Sequence, residues 1–455
     1  MKRTNYSTNS SGVTVGFGKS PRLWDKSVIF FANIDCIFFG DSEKTRAIID
    51  NVAGFHGYGN RLIPVLGLLF RGNDNVLMVQ EAPNKALLVF YSQVLGLKLP
   101  EIKVVEMPPE CVPGRIGYHP GLKEYILDHP ADTMDGFVTD PDMEVVAANL
   151  GKELINSHQA CKDANDKLLL NRFLKSAGLP RFDGGEAEFG KELHQRLDQL
   201  RAMGYQQAVV RASLGASGFG MHIIRLDETG APFPHHLFPE GRVLVQGWIE
   251  EGVRGISRVS SPSVQFFCGD NGVQVFDLTD QLLSGRGVHE GNVSPPLSFS
   301  PDGMLQEELL RQTRLVTRWV ADTGYRGTGS IDFLISTRAD QTRIHVCEVN
   351  ARVTGATYPS LLALHFNPQG AWLMRNILFE PCMSGEEMFS YFERKAILFK
   401  PGEEQGIIPL NIITDQNGMI EKSQLLFLSS TSEQAWDLMT DFPSLLPVEC
   451  VYDRD

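Results

Sequence analysis

The sequence predicts a parallel α/β unit followed by a longer region of helices and antiparallel strands. Apolar runs and helical patterns alternate from Ser27 to Met107, and the hydrophobic period changes to two from Tyr205 onward. Length adds a third observation. With 455 residues and 42% hydrophobic content the chain exceeds the ~250 to 300 residues at which single cores stop growing, so several cores are expected.

The opening MKRTNYSTNSSGVTVGFGKS is polar and carries no apolar core of the ~7 to 15 residues of a secretory leader, so residues 1–27 read as a flexible arm. An α/β domain is expected over 28–150. SVIFFANI, NVLMV and IKVVEM read as strands, with AIIDNVAGFHGYGNRLIPVLGLLF and KALLVFYSQVLGL as the helices between them. The unit has no G-x-G-x-x-G, which argues against a dinucleotide site. The stretch from Met107 to Pro141 is rich in Pro, Gly and Asp, and a boundary is placed near Leu150.

CKDANDKLLLNRFLKSAGLPRF then reads as a helix. Asp163 or Asn165 would cap it, Leu168, Leu169, Phe173 and Leu174 give it an apolar face, and Gly178 with Pro180 closes it. Lys167 falls in the first turn, where the helix dipole disfavours a cation by ~0.3 to 1 kcal/mol. It is either a solvated surface lysine or one aimed at an anion. QQAVVRA and MHIIRL read as strands joined by SLGASGFG, with RVLVQGWIEEG as a third strand leaving into a connection. This glycine link is neither a Walker A motif nor a Rossmann turn, although Gly215, Gly218 and Gly220 would let backbone lie close over phosphate oxygens.

GSIDFLIS and RIHVCEVNAR flank the turn-like TRADQT, which predicts an antiparallel hairpin. If its loop is symmetric about Asp340, Asp332 faces Glu348 and Asn350 shares that face; a slip of one residue would break the pairing. Carboxylates about 5 Å apart repel by roughly 1 kcal/mol in water and ~3 kcal/mol at an effective dielectric near 20. A cation relieves that repulsion, and two carboxylates with an amide oxygen are hard donors that suit Mg²⁺. Exposed strand carboxylates are the plainer alternative at this point.

The formal net charge of −13 argues against a nucleic-acid partner, which would need a basic face. Seven scattered cysteines without CxxC read as reduced thiols, no run approaches the ~18 apolar residues of a membrane span, and a cytoplasmic location is expected. Composition leaves the oligomeric state open, a homodimer included.

Lys167, a glycine hairpin and D…E-x-N-x-R occur in that order, and this order resembles the ATP-grasp superfamily over roughly Gly151 to Glu380. The resemblance implies an α/β pre-ATP-grasp domain (28–150), an α+β ATP-grasp core of two subdomains (151–380) and a C-terminal region (381–455) packing on the core. It implies ATP and Mg²⁺, with Asp332, Glu348 and Asn350 as metal ligands and Lys167 and Arg211 on the phosphates. Arg211 stands where the family has a second lysine, a planar fork in place of a point charge. The resemblance further implies a phosphate-covering loop with Ser213, Gly215, Ser217 and Gly218, and an adenine hinge with Gln246 and the backbone of Trp248 and Ile249. Glu250 and Glu251 are the candidates for ribose.

Arg352 matches the arginine common after E-x-N in carboxylate–amine ligases. Arg286, in a Gly-rich connection with His289, could bind a substrate carboxylate or the transferred phosphate, and His289 is a candidate base; an exposed loop residue is the plainer reading of each. Within the superfamily, GNDNVLMVQEAPNKALLVFYSQVLGL, SPSVQ and HEGNVSPP are similar to the pheganomycin-type peptide ligases. These join an amino acid or capped amino acid to the amine of an amino acid or peptide. Two readings compete with ligation: a non-catalytic ATP-binding scaffold, and phosphorylation of a substrate without condensation.

Overall fold

The computed structural model describes residues 12–39, 42–51, 55–105, 121–188, 190–216, 218–227, 241–284, 289–297, 303–339, 341–380, 383–446 and 450–452. They form three sheets. The first is five-stranded and wholly parallel, in the order Glu101–Val104, Val76–Val79, Val28–Phe31, Thr133–Gly136, Glu153–Leu154. Val28–Phe31 and Val76–Val79 are buried at every position, as expected of parallel strands covered on both faces.

The segment expected as one helix through Phe70 is instead a helix Ser42–Asn51, a 3₁₀ helix Phe55–Leu62 and a short helix Leu66–Leu69. Gly59 gives one physical reason. A Cβ there would lie 2.4 Å from the Ala32 Cβ, so the chain follows the strand end closely where a helix with a side chain would not fit. Two elements of this layer, helix Leu122–Asp128 and strand Thr133–Gly136, lie in the stretch read only as rich in Pro, Gly and Asp. Thr133–Gly136 (TMDG) is a buried strand, made so by pairing with Val28–Phe31 rather than by its own propensity. The next helix, Pro141–Leu150, is capped by the Asp140 side chain.

The second sheet is antiparallel, in the order Gly184–Glu188, Arg242–Gly247, Gln207–Ala216, Phe219–Arg225, with helix Lys191–Ala202 packed on it. Its glycine hairpin is tighter than expected, because strand pairing runs on to Ala216↔Phe219 and absorbs most of SLGASGFG.

The third sheet has eleven strands. Strand Gly327–Arg338 pairs on one side with Gln341–Asn350, and on the other with Pro262–Gly269 and Ile256–Ser260 in succession. The sheet then continues through Gly272–Leu283, His289–Ser294, Ala371–Phe379, Ile420–Ser429 and Gly406–Thr414. Helix Gly303–Asp322 buries Leu309, Leu310, Val316 and Val320 against it. Within the stretch expected to be a flexible arm, Val13–Val15 forms a strand parallel to Val273–Val275, with Val13 and Val15 buried. Among the described residues no helix is long and apolar enough to cross a membrane.

Candidate active site

The predicted hairpin exists, and Asp332 pairs with Glu348 as expected. The route to that register differs. From the turn inward the pairs are Arg338↔Gln341, Leu334↔His345 and Phe333↔Val346, one residue out of the expected register, and a β-bulge between Asp332 and Phe333 restores it by leaving Cys347 unpaired. Asp340, the expected centre of symmetry, lies outside the described residues.

Arg211 explains how the bulge is held. Its Nη1 donates to the Cys347 carbonyl at 2.9 Å while Nη2 donates to Glu348 Oε2 at 2.5 Å. A planar fork spans both acceptors and a lysine ammonium would not. Lys167 Nζ reaches the same Glu348 Oε2 at 3.2 Å and donates to the Gly215 carbonyl at 2.9 Å. Only 7% of the Lys167 side chain is exposed, which rules out the solvated surface lysine. The cap of its helix Lys167–Ser176 is Asp166 rather than Asp163 or Asn165, its carboxylate accepting from the amides of Leu168 and Leu169. A negative cap beside Lys167 offsets the dipole cost of a cation in the first turn.

Asp332 lies on the floor. Ser263 Oγ donates to its Oδ1 at 2.6 Å, Ser330 Oγ approaches at 3.3 Å, and Gln265 Nε2 supports Ser263 at 3.0 Å. The Asn350 amide nitrogen donates to Asp332 Oδ2 at 2.9 Å and reaches Glu348 Oε1 at 3.5 Å, so an N–H group sits between the two carboxylates. The Asn350 side-chain oxygen Oδ1 accepts from Arg352 Nη2 at 2.6 Å, and Arg352 Nη1 donates to Asn165 Oδ1 at 3.0 Å. Asn165 also clamps the backbone of Ala351, accepting from its N–H at 3.0 Å and donating to its carbonyl at 3.2 Å.

The electrostatics follow from burial and these partners. Burial and then the Glu348 charge raise the Asp332 carboxyl above its usual range, against hydrogen bonds from Ser263, Gln281 and Ser330. Burial also pushes Glu348 up, but Lys167, Arg211 and Arg352 outweigh it and hold that carboxyl low. Burial lowers Lys167, with Glu348 opposing and Arg211 and Arg352 adding to the fall. Three cations therefore share two carboxylates, one of them held toward its neutral form. The site carries excess positive charge.

Among the described residues no group of three or more His, Cys, Asp or Glu could hold a metal ion. Two carboxylates and an amide nevertheless fit a hard divalent cation that takes its remaining oxygens from water and a bound phosphate. For Asn350 to join them, its amide must turn over and Arg352 must release its oxygen.

Gln246 pairs with Val209, two residues along from the Leu244↔Arg211 pair, so it shares the sheet face of Arg211. Of the two backbone positions expected to meet adenine, the Trp248 N–H already donates to the Gln207 carbonyl at 3.0 Å. Glu250 meets Gln207 Nε2, and Glu251 accepts from the Val259 amide. Ser213 is buried and Gly215 and Gly218 lie at the hairpin turn. Ser217 and Arg286 lie outside the described residues.

No family model matches the chain. Over 223 residues it is 28% identical to the butirosin acyl-carrier protein–L-glutamate ligase of Niallia circulans, over 48% of this chain and 48% of that protein. The chain thus spans about half the length of the curated relative it matches. Among solved structures, the ADP complex of PurK, an N5-carboxyaminoimidazole ribonucleotide synthetase, aligns over 93% of this chain and 97% of its own, with TM-score 0.54 and 12% identity. A biotin carboxylase–nucleotide complex from Campylobacter jejuni aligns over 94% and 93%, with TM-score 0.57 and 13% identity. The chain has the ATP-grasp fold. The cluster of Lys167, Arg211, Asp332, Glu348, Asn350 and Arg352 lies where the second and third sheets meet.

Sequence reasoning missed four contributors to this cluster. Ser263 and Gln265 step two apart along an otherwise apolar strand, the same signal that singled out Glu348 and Asn350. Asn165 was read only as a cap. Lys44, fully buried, donates to the Leu214 carbonyl at 3.0 Å, next to the carbonyl that Lys167 holds, and nothing in its local sequence marks it.

Proposed function

We propose that the chain is an ATP-dependent carboxylate–amine ligase that works through an acyl phosphate. The observation that carries this reading is the excess of buried cations, Lys167, Arg211 and Arg352, crowded on Glu348 beside the facing Asp332. Lys167 and Arg211 leave Glu348 for the phosphate oxygens of ATP, and the hairpin backbone with Ser213, Gly215, Ser217 and Gly218 covers them. Gln246 and the Ile249 amide orient the adenine.

Asp332, Glu348 and, with its amide turned, Asn350 would hold Mg²⁺, which would supply charge neutralisation on the phosphates. A substrate carboxylate attacks the γ-phosphorus of ATP and releases ADP, and the amine then displaces phosphate, losing a proton, to form the amide bond. Arg352 neutralises the acyl phosphate and the oxyanion that follows, and Arg286 is assigned to the same anion. In this reading residues 28–150 are the pre-ATP-grasp domain, 151–380 the ATP-grasp core and 381–455 the C-terminal region. The substrates are an amino acid or capped amino acid as acid, and an amino acid or peptide as amine. The printed name of the Niallia circulans relative makes glutamate the first acid to try. Likeness to the pheganomycin-type group belongs to the same proposal.

The test is a matrix of acids and amines assayed for phosphate release, followed by mass spectrometry of any condensed product. Ligation loses water from the joined pair, whereas a phosphorylated product gains phosphate. Asp332→Asn should abolish turnover. Retention of full activity in that variant would remove the metal assignment.

A further inference from the structure

One arginine near this site has neither a carboxylate partner nor a full set of acceptors among the described residues. Arg61, on the 3₁₀ helix Phe55–Leu62 of the parallel layer, lies with its guanidinium 4.1 Å from the centre of the Tyr58 ring. Its hydrogen bond is a long one, Nη1 to the Tyr358 hydroxyl at 3.4 Å, and its Nε is buried with no partner. Tyr358 belongs to helix Thr357–Phe366, which begins five residues after Arg352, and its own hydroxyl donates to Gln424 Oε1 at 2.5 Å.

The neighbouring cations are each paired with a carboxylate or held by two amide oxygens. Arg375 pairs with Glu290 at 2.6 Å, Lys167 and Arg211 share Glu348, and Arg352 is held by Asn165 and Asn350. Arg61 is not matched, and a guanidinium cannot shed its proton to escape burial. The residue is partly exposed although its Nε is buried.

The surroundings place this cation beside the proposed chemistry. The Tyr58 ring that carries the Arg61 guanidinium also acts electrostatically on Arg352. His289 is in the field of Arg61, and its ring packs against Gly355, where an added Cβ would come within 3.2 Å of Cε1. His289 Nε2 is 2.5 Å from Asn292 Oδ1, whose amide nitrogen is turned to Thr279. The ring therefore donates there and adds no anion for Arg61.

We propose that Arg61 binds a carboxylate of a substrate other than the carboxylate that is phosphorylated. This rests on the ligase reading above. The carboxylate belongs either to the amine substrate or to a dicarboxylic acid donor, and the chemistry at Arg61 is the same for both.

The first experiment needs no identified substrate. Melting of the full chain is measured for wild type and Arg61→Met in sodium chloride and in sodium glutarate at equal ionic strength, each with and without magnesium ATP. The expected result is that the variant melts at or above wild type in chloride and that glutarate raises the melting temperature of wild type alone. A variant that melts lower in chloride, with glutarate indifferent in both proteins, would make Arg61 a structural residue and overturn the proposal. Magnesium ATP should stabilise both proteins alike; failure to stabilise wild type would sink the ligase reading, whatever glutarate does.

The second experiment uses the condensing pair. Arg61→Met should lower kcat/KM for one substrate about 100-fold, with KM for ATP unchanged. Replacing that substrate's free carboxylate by a carboxamide should cost wild type the same factor and the variant nothing more. The pattern with the amine's carboxamide assigns the carboxylate to the amine, and with the acid's second carboxamide to the donor. The pattern with neither refutes the assignment, and Arg61→Lys should recover part of the loss.

Discussion

Glu348→Gln is the sharpest perturbation of this site, because it removes a charge and changes little else. Lys167 Nζ lies 3.2 Å and Arg211 Nη2 2.5 Å from the same carboxylate oxygen. At an effective dielectric of ~20 those separations give gross attractions of about 5 and 7 kcal/mol, most of it offset by the cost of taking the ions out of water. What survives is the cost of leaving buried cations unmatched, ~3 to 5 kcal/mol, and the lower end applies here because glutamine keeps an acceptor oxygen. A loss of ~3 kcal/mol lowers the melting temperature of a cooperative unit of ~150 to 250 residues by roughly 6 to 12 °C.

The assay is thermal unfolding of both proteins with and without magnesium-free pyrophosphate, which offers the stranded cations a replacement anion. Pyrophosphate should raise the variant by several degrees more than wild type. A variant that melts with wild type, and gains no more from pyrophosphate, would refute the claim that Glu348 neutralises Lys167 and Arg211.

Two buried titrating groups outside the site should act in opposite directions over one pH window. Burial raises Asp135 to about 7, so the native state binds the extra proton and stability falls as pH rises from about 4 to 7; Asp135→Asn should remove a fall of ~4 kcal/mol. Burial, with Arg343, lowers His345 to about 4, so the unfolded state binds the proton and stability falls as pH drops from 6.5 to 4. His345→Phe, which keeps the stack on Phe182, should remove ~3 kcal/mol of that loss, and urea unfolding at pH 4, 5.5 and 7 reads both signs. Asn165→Ala should free Arg352 and lower kcat of the condensation about 10- to 100-fold with KM for ATP within about twofold, and steady-state kinetics would show a binding role instead if KM moved. Gly59→Ala should destabilise by ~1 to 3 kcal/mol through the methyl of Ala32, and adding Ala32→Gly should recover most of it; additive losses in urea unfolding would place the strain elsewhere.

The hairpin was legible because polar residues stepped two apart on an apolar strand have no local reason to be there. Its bulge was not, since Cys347 looks like any other strand residue and only Arg211, 136 positions earlier, determines that its carbonyl leaves the ladder. Asn165 and Ala351 meet across 186 positions, and no spacing rule reaches that far. Thr133–Gly136 was lost for a different reason: its four residues carry little strand propensity, and neighbouring strands impose the conformation. Asp166 was overlooked as a cap because Asp163 and Asn165 offer the same chemistry one to three residues away, and only the helix start distinguishes them.

Strand Ala371–Phe379 is bordered by His289–Ser294 on one flank and Ile420–Ser429 on the other. The segment beyond Glu380 is thus not an appendage that could be traded between relatives as a cassette. Cutting the chain there would bare the hydrogen-bonding edge of a strand that holds Leu373 and Ile377 in the interior, and a raw edge of that kind recruits a second molecule. Engineering of substrate scope is therefore better confined to the loops at the sheet ends.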